Sequence, residues 1–120
     1  EEVVYAGRRT IERPDKPSVS RGWQTDHGFL FEAHPDGDQV ARPILAAGMF
    51  KHEAAAVHVS TGTVYLTEDN VPEAGFYRLL PKTPGRLHEG GSLQMLAAKG
   101  RTDLRRGLKV GQRFDVTWVD

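Results

Sequence analysis

Residues 48–69 read GMFKHEAAAVHVSTGTVYLTED, and the fold turns on whether the alanine-rich run in their middle is helix or strand. On a helix, His52-Glu53 would open a His-Glu-x-x-His zinc-protease motif, in which two histidines one turn apart hold the metal and the glutamate acts as general base. Ala56 stands where the second histidine is required, and His58 lies six residues beyond His52, on another helical face. The zinc-protease reading fails on spacing. The strand reading fits the context, because Val57, Val59, Val64, Tyr65 and Leu66 flank Ser60-Thr61-Gly62 in the pattern of a β-hairpin. Ala54 to Val59 is therefore expected as a strand of small residues in a tightly packed sheet, against the intrinsic helix preference of alanine. Glu53 then stands where a loop enters that strand.

Outward from this hairpin the chain reads as a series of short strands. HGFLFEAHP (27–35) and QVARPILAAGMF (39–50) precede it, and GFYRLLPK (75–82), GGSLQMLAA (90–98) and QRFDVTWVD (112–120) follow. Turn-forming residues separate them: Pro35-Asp36-Gly37-Asp38, Ser60-Thr61-Gly62, Asp69 to Gly75, Pro84-Gly85 and Gly90-Gly91. Spacing of this kind predicts an all-β fold of antiparallel sheets. A single helical turn is conceivable over Lys99 to Leu108, weakened by Gly100 and Gly107. Residues 8–26 are polar, contain two prolines and lack apolar periodicity, which predicts a surface excursion. HGFLFEAHPDGD is echoed about 47 residues later by AGFYRLLPKTPG, a period of the length that stacked four-stranded blades produce. Two or three blades of a propeller are the expected content of this one domain or propeller fragment.

At 120 residues the chain is one domain at most. Sixteen basic and sixteen acidic residues cancel, so there is no long-range field to gather nucleic acid or a membrane surface. There are no cysteines, which excludes disulfides and thiolate ligands. No apolar run approaches the roughly 18 residues of a spanning helix, and no signal-peptide pattern is present. The chain opens at Glu1 and closes on the strand-like RFDVTWVD, from which a segment of a larger fold is expected. Cut edges of that kind would leave Leu45, Phe50, Phe76, Leu79, Leu93, Leu96 and Trp118 in need of cover, by self-association or by a companion chain with further blades.

The candidate chemistry is carboxylate chemistry. Glu1-Glu2, Glu53 and Glu68-Asp69 all fall at strand ends or loop mouths, where oxygen ligands suit hard cations such as calcium, magnesium or ferric iron. For each alone the plainer reading is a solvated turn residue, Glu53 excepted. Glu53, between Phe50 and the alanine run, needs a partner or a metal if it meets a packed sheet, and Lys51 is one alternative partner. No calcium-loop spacing, nucleophile elbow or phosphate loop occurs. His27, His34, His58 and His88 are scattered without metal spacing, and RTDLRRG (101–107) reads as a solvated basic loop because no aromatics interleave its arginines.

Taken in order, HGFLFEAHP, GMFKHEAAAVHVSTGTVYLTEDN, GFYRLLP and GGSLQML resemble the central region of PhoX-type alkaline phosphatases, most closely over residues 27–98. The resemblance implies a six-bladed β-propeller whose central pocket binds calcium and ferric ions and hydrolyses phosphate monoesters. It implies Glu53 as a metal ligand, Asp69 as a calcium ligand with Glu68 beside it, and Glu1-Glu2 as the acidic pair after a cysteine that ligates iron in relatives. That cysteine is absent here, so this chain alone is expected to be inactive. His52 would then hydrogen-bond a ligand carboxylate or the substrate phosphate. Export to the periplasm or beyond is implied as well. The alternatives are a non-catalytic propeller used as a binding module and a free-standing β-sandwich.

Overall fold

The computed structural model describes residues 28–33 and 42–120. The excursion over 8–26, the Asp36-Gly37-Asp38 turn, Glu1, Glu2, His27 and His34 lie outside the described residues. Five strands form one antiparallel sheet in simple meander order: β1 His52–His58, β2 Thr63–Glu68, β3 Phe76–Pro81, β4 Gly91–Ala98 and β5 Val116–Val119. The all-β expectation holds: β2 to β5 fall inside stretches legible as strands, and β1 starts two residues before the expected Ala54 to Val59.

Register explains the core. Val64, Leu79 and Leu93 are directly opposite one another across β2, β3 and β4, and Leu66, Tyr77 and Met95 form the next row. Opposed residues share a sheet face, so these two rows make one apolar surface. Val64, Leu66 and Leu79 are buried there together with Ile44 and Ala47, and Leu30, Phe50, Tyr77, Leu87 and Leu93 pack around them. The segment that supplies Ile44 and Ala47 was expected as a strand over 39–50. Instead Leu45–Ala47 forms a short 3-10 turn. Pro43 lacks the N–H that a ladder needs, and the turn sets Ile44 and Ala47, three apart, inward against the sheet. Leu45 is left outside, 69% exposed.

The stretch 27–35 also departs from its expected strand. Among the described residues its sheet-like pairing is one isolated bridge, Phe31 to Pro43. The Ile44 and Phe50 amides bond the Leu30 and Gly28 carbonyls at 2.8 and 3.1 Å, so the stretch serves as backing for the turn. No helix forms over Lys99 to Leu108, which runs as turns and bends. A second 3-10 turn, Leu87–Glu89, precedes β4.

The β1–β2 turn closes as expected on Ser60-Thr61-Gly62, with Gly62 at φ +72°. A side chain there would meet Pro84 Cβ at 2.9 Å, so both backbone conformation and space demand glycine. The expectation that β1 is tightly packed is overturned: Glu53 to His58 are exposed throughout. β1 is an edge strand, and its alanines face solvent without carrying core.

Candidate functional site

One end of the sheet gathers the start of β1, the end of β2, the 69–75 loop into β3, the end of β4 and the loop into β5. The hairpin ladder is irregular at this end. His52 is opposite Glu68 but Ala54 is opposite Thr67, so Glu53 is the extra residue of a β-bulge. The Thr67 hydroxyl accepts the Ala54 amide at 3.0 Å, occupying a donor that the interrupted ladder leaves over. The bulge switches the alternation of β1: His52 lies on the core face with Glu68, and Ala54 and Ala56 lie on the other face, opposite Thr67 and Tyr65.

His52 is held from two sides. Its ring lies against Phe50, tilted by 38° with centroids 3.7 Å apart, and Phe50 in turn lies 4.6 Å from the Tyr77 ring. Nε2 donates to the Gly48 carbonyl at 3.3 Å. A carbonyl only accepts, so the proton sits on Nε2 and Nδ1 carries the lone pair. That Nδ1 is buried without a hydrogen-bond partner among the described residues. Burial holds the His52 pKa below its ordinary value, opposed by the Gly48 bond and by the negative charge of Glu68.

Glu68 is committed to structure. Its Oε2 accepts from the Gly75 amide and from the Tyr77 hydroxyl, both at 2.9 Å. Any side chain at residue 75 would run into the Tyr77 phenol, so Gly75 is what allows that ring to reach the carboxylate. Burial first, and then the hydrogen bond and charge of Glu68, push the Tyr77 pKa up to about 12. Asp69 pairs with Lys51 at 3.8 Å, and its amide bonds the Lys51 carbonyl at 2.9 Å. Glu53 is exposed in the bulge.

These positions test the expected hard-cation site. The donors are of the right chemical kind, and Glu53, Glu68 and Asp69 do occupy one end of one hairpin. Among the described residues, however, no group of three or more His, Asp or Glu side chains is close enough to hold a metal ion. The described residues alone thus do not fit a complete metal centre. His58, at the far end of β1, bonds Thr61 and Ser60 in the hairpin turn.

Two features escaped the sequence reading. On the face opposite the core, Tyr65, Phe76 and Trp118 form a cluster with centroids 5.9 to 6.1 Å apart. Arg78 lies over Trp118 at 4.6 Å, and its Nε and Nη2 bond Gln94 Oε1 at 2.9 and 2.7 Å, while Gln94 bonds Asp120. The signal was available, since Phe76, Arg78 and Trp118 alternate with residues of the core face. The second feature is the folding back of the 101–107 loop. Arg105 grips Asp103 through two nitrogens and reaches Glu73 at 3.4 Å, which draws the Asp103 pKa down to about 2.

An antiparallel sheet with acidic residues at one end is compatible with many activities, and comparison with known proteins narrows the class to phosphatases. A family model described as alkaline phosphatase PhoX matches residues 6–120. The chain belongs to that family. The match runs through the 101–107 loop, which the motif resemblance over 27–98 did not reach. No curated protein and no solved structure matches the chain significantly.

Proposed function

We propose that this chain is a segment of a metal-dependent phosphatase of the PhoX type, acting on phosphate monoesters through carboxylate-bound calcium and iron. The observation that carries the reading is the family match over 6–120, and the Glu53 bulge agrees with it, because bulges re-aim side chains at functional rims. Glu53 and Asp69 are the residues assigned to the cation, with Glu1 and Glu2 as further ligands. Glu68 stands with them as a further candidate ligand, and its Oε2 also braces the loop through Tyr77 and Gly75. Cations held there would supply Lewis-acid polarisation of the phosphoryl oxygens. The chain's own part is to hold Glu53 on a rigid hairpin, to keep His52 neutral on the core face, and to anchor the 69–75 loop. The iron-ligating cysteine that the resemblance calls for is absent from this chain, so this reading has the segment inactive alone, with further blades of a propeller, from the same protein or a companion chain, completing the pocket. Among the described residues no helix is long and apolar enough to cross a membrane, and export is the compartment this reading assigns.

The test is ligand linkage. Millimolar calcium is expected to raise the Tm of the whole chain and chelator to reverse it, with Glu53→Ala removing the increment. A Tm that ignores both treatments overturns the metal assignment. The aromatic face of Tyr65, Phe76 and Trp118 favours a second reading, a binding module, for which Tm is indifferent to calcium.

A further inference from the structure

At the loop end of the sheet, residues 72–74 and 101–105 wall a cleft of about 550 Å3, floored by β4 and β5. Its volume is within the roughly 300–1,000 Å3 of small-molecule sites. Met95 and Val119, opposite each other on β4 and β5, and Leu104 on the loop leave apolar side chains about 40% exposed around it. Apolar groups turned toward water in a concave site gain from an apolar occupant.

The charges on the cleft divide unequally. Arg105 is matched by Asp103 and Glu73 and braces one wall against the other. Arg101 makes its hydrogen bond and ring contact with neutral groups, Nη2 donating to the Arg106 carbonyl at 2.7 Å and the guanidinium lying 5.8 Å from the Phe114 ring centre, while its charge also bears on Asp103. A guanidinium has five N–H donors, and that hydrogen bond uses one. We propose that this cleft binds an aryl phosphate monoester, with Arg101 hydrogen-bonding the phosphoryl oxygens and Met95, Leu104 and Val119 enclosing the ring. The choice of phosphate as the anion rests on the phosphatase reading; the cleft, the apolar floor and the available guanidinium do not. Arginine meets phosphate with two parallel hydrogen bonds, so a fork at the rim of an apolar slot selects a ligand with one charged end and one flat apolar end.

The experiment titrates 1-naphthyl phosphate into the full chain in chelator, followed by methyl NMR of the two methionines. Met95 is expected to shift saturably, and Met49, away from the cleft, to stay still. Inorganic phosphate and 1-naphthol should each bind at least tenfold more weakly. Arg101→Gln should weaken binding about tenfold with the Met49 signal of the free protein unchanged, and Arg101→Lys, which keeps the charge, should recover part of that loss. An unmoved Met95, a naphthol that binds as tightly as its phosphate, or an Arg101→Gln protein that binds as tightly as wild type overturns the proposal. The assay needs no metal and no turnover. A responsive Met95 beside a calcium-indifferent Tm keeps the cleft and removes the metal reading, and the opposite pair does the reverse.

Discussion

Strands β1 and β2 are joined by one tight turn and pair over six positions, yet they have opposite environments. Val64 and Leu66 on β2 are buried, whereas Glu53 to His58 on β1 are exposed. The difference lies in the neighbours among the described residues, because β2 has a strand on each side and the 44–47 turn against its apolar face, and β1 pairs with β2 alone. Alanine adds almost nothing to burial at an edge, so stability is concentrated in β2. β1 is left to position its first residues, His52 and Glu53.

The sharpest way to break this contrast is to cut side chains on each strand. Leu66 is fully buried, and Leu66→Ala should cost about 2–5 kcal/mol, the range for truncating a packed leucine. Ala55→Ser, directly opposite Leu66 on the edge strand, should change stability by less than about 0.5 kcal/mol. Urea denaturation of both variants checks the pair, and equal losses would mean that β1 is covered after all.

A second test moves to the joint between the strands. Glu68→Ala strips the acceptor from the Tyr77 hydroxyl and the Gly75 amide, and about 1–3 kcal/mol is expected for leaving such partly buried donors unmet. The same contact has a pH signature. Tyr77 ionises near pH 10 when unfolded but near 12 when folded, so between those values the unfolded chain has released a proton that the folded chain retains. Stability should therefore fall as pH rises from about 10 toward 12. Tyr77→Phe should flatten that fall, as measured by denaturation midpoints across the range.

How much of this was legible beforehand depended on the range of the interaction. Five strands were readable because alternation in TVYLTE and FYRLLP and the turns between are local facts. The 39–50 stretch is ambiguous because Ile44-Leu45-Ala46-Ala47 is apolar in either conformation, and Pro43, which lacks a ladder N–H, tips it away from a strand. Exposure of the alanine strand was hidden, since edge and centre differ only in what lies alongside. The bulge at Glu53 was equally hidden: it is a one-residue slip against β2, tied by the Thr67 hydroxyl to the Ala54 amide. Glu53, Asp69 and Glu68 were correctly placed at a loop mouth, but the pairing of Glu68 with Tyr77 depends on Gly75 leaving room for a ring two residues away. The arginine loop is solvated as expected, and only its tie to Glu73 was hidden, because that partner is 32 residues from Arg105 in sequence.

A modest effect on stability bears most directly on what β1 is for. Thr67→Val removes the hydroxyl that accepts the Ala54 amide beside the bulge and keeps a β-branched side chain suited to a strand. Ala54 is exposed, so water can replace the lost acceptor and the cost should be about 0.5–1 kcal/mol. If the hairpin end is merely a fraying edge, that is the whole consequence. If it instead sets the position of Glu53 for a cation, the same variant should also reduce the calcium-induced rise in Tm, because misplacing a ligand weakens binding even where folding barely changes. Measuring Tm with and without calcium for Thr67→Val and for Ala55→Ser, which leaves the bulge alone, separates the two. A calcium increment that is full in both variants would make β1 a plain edge strand, and one reduced in Thr67→Val alone would make the bulge the part of the hairpin that serves the site.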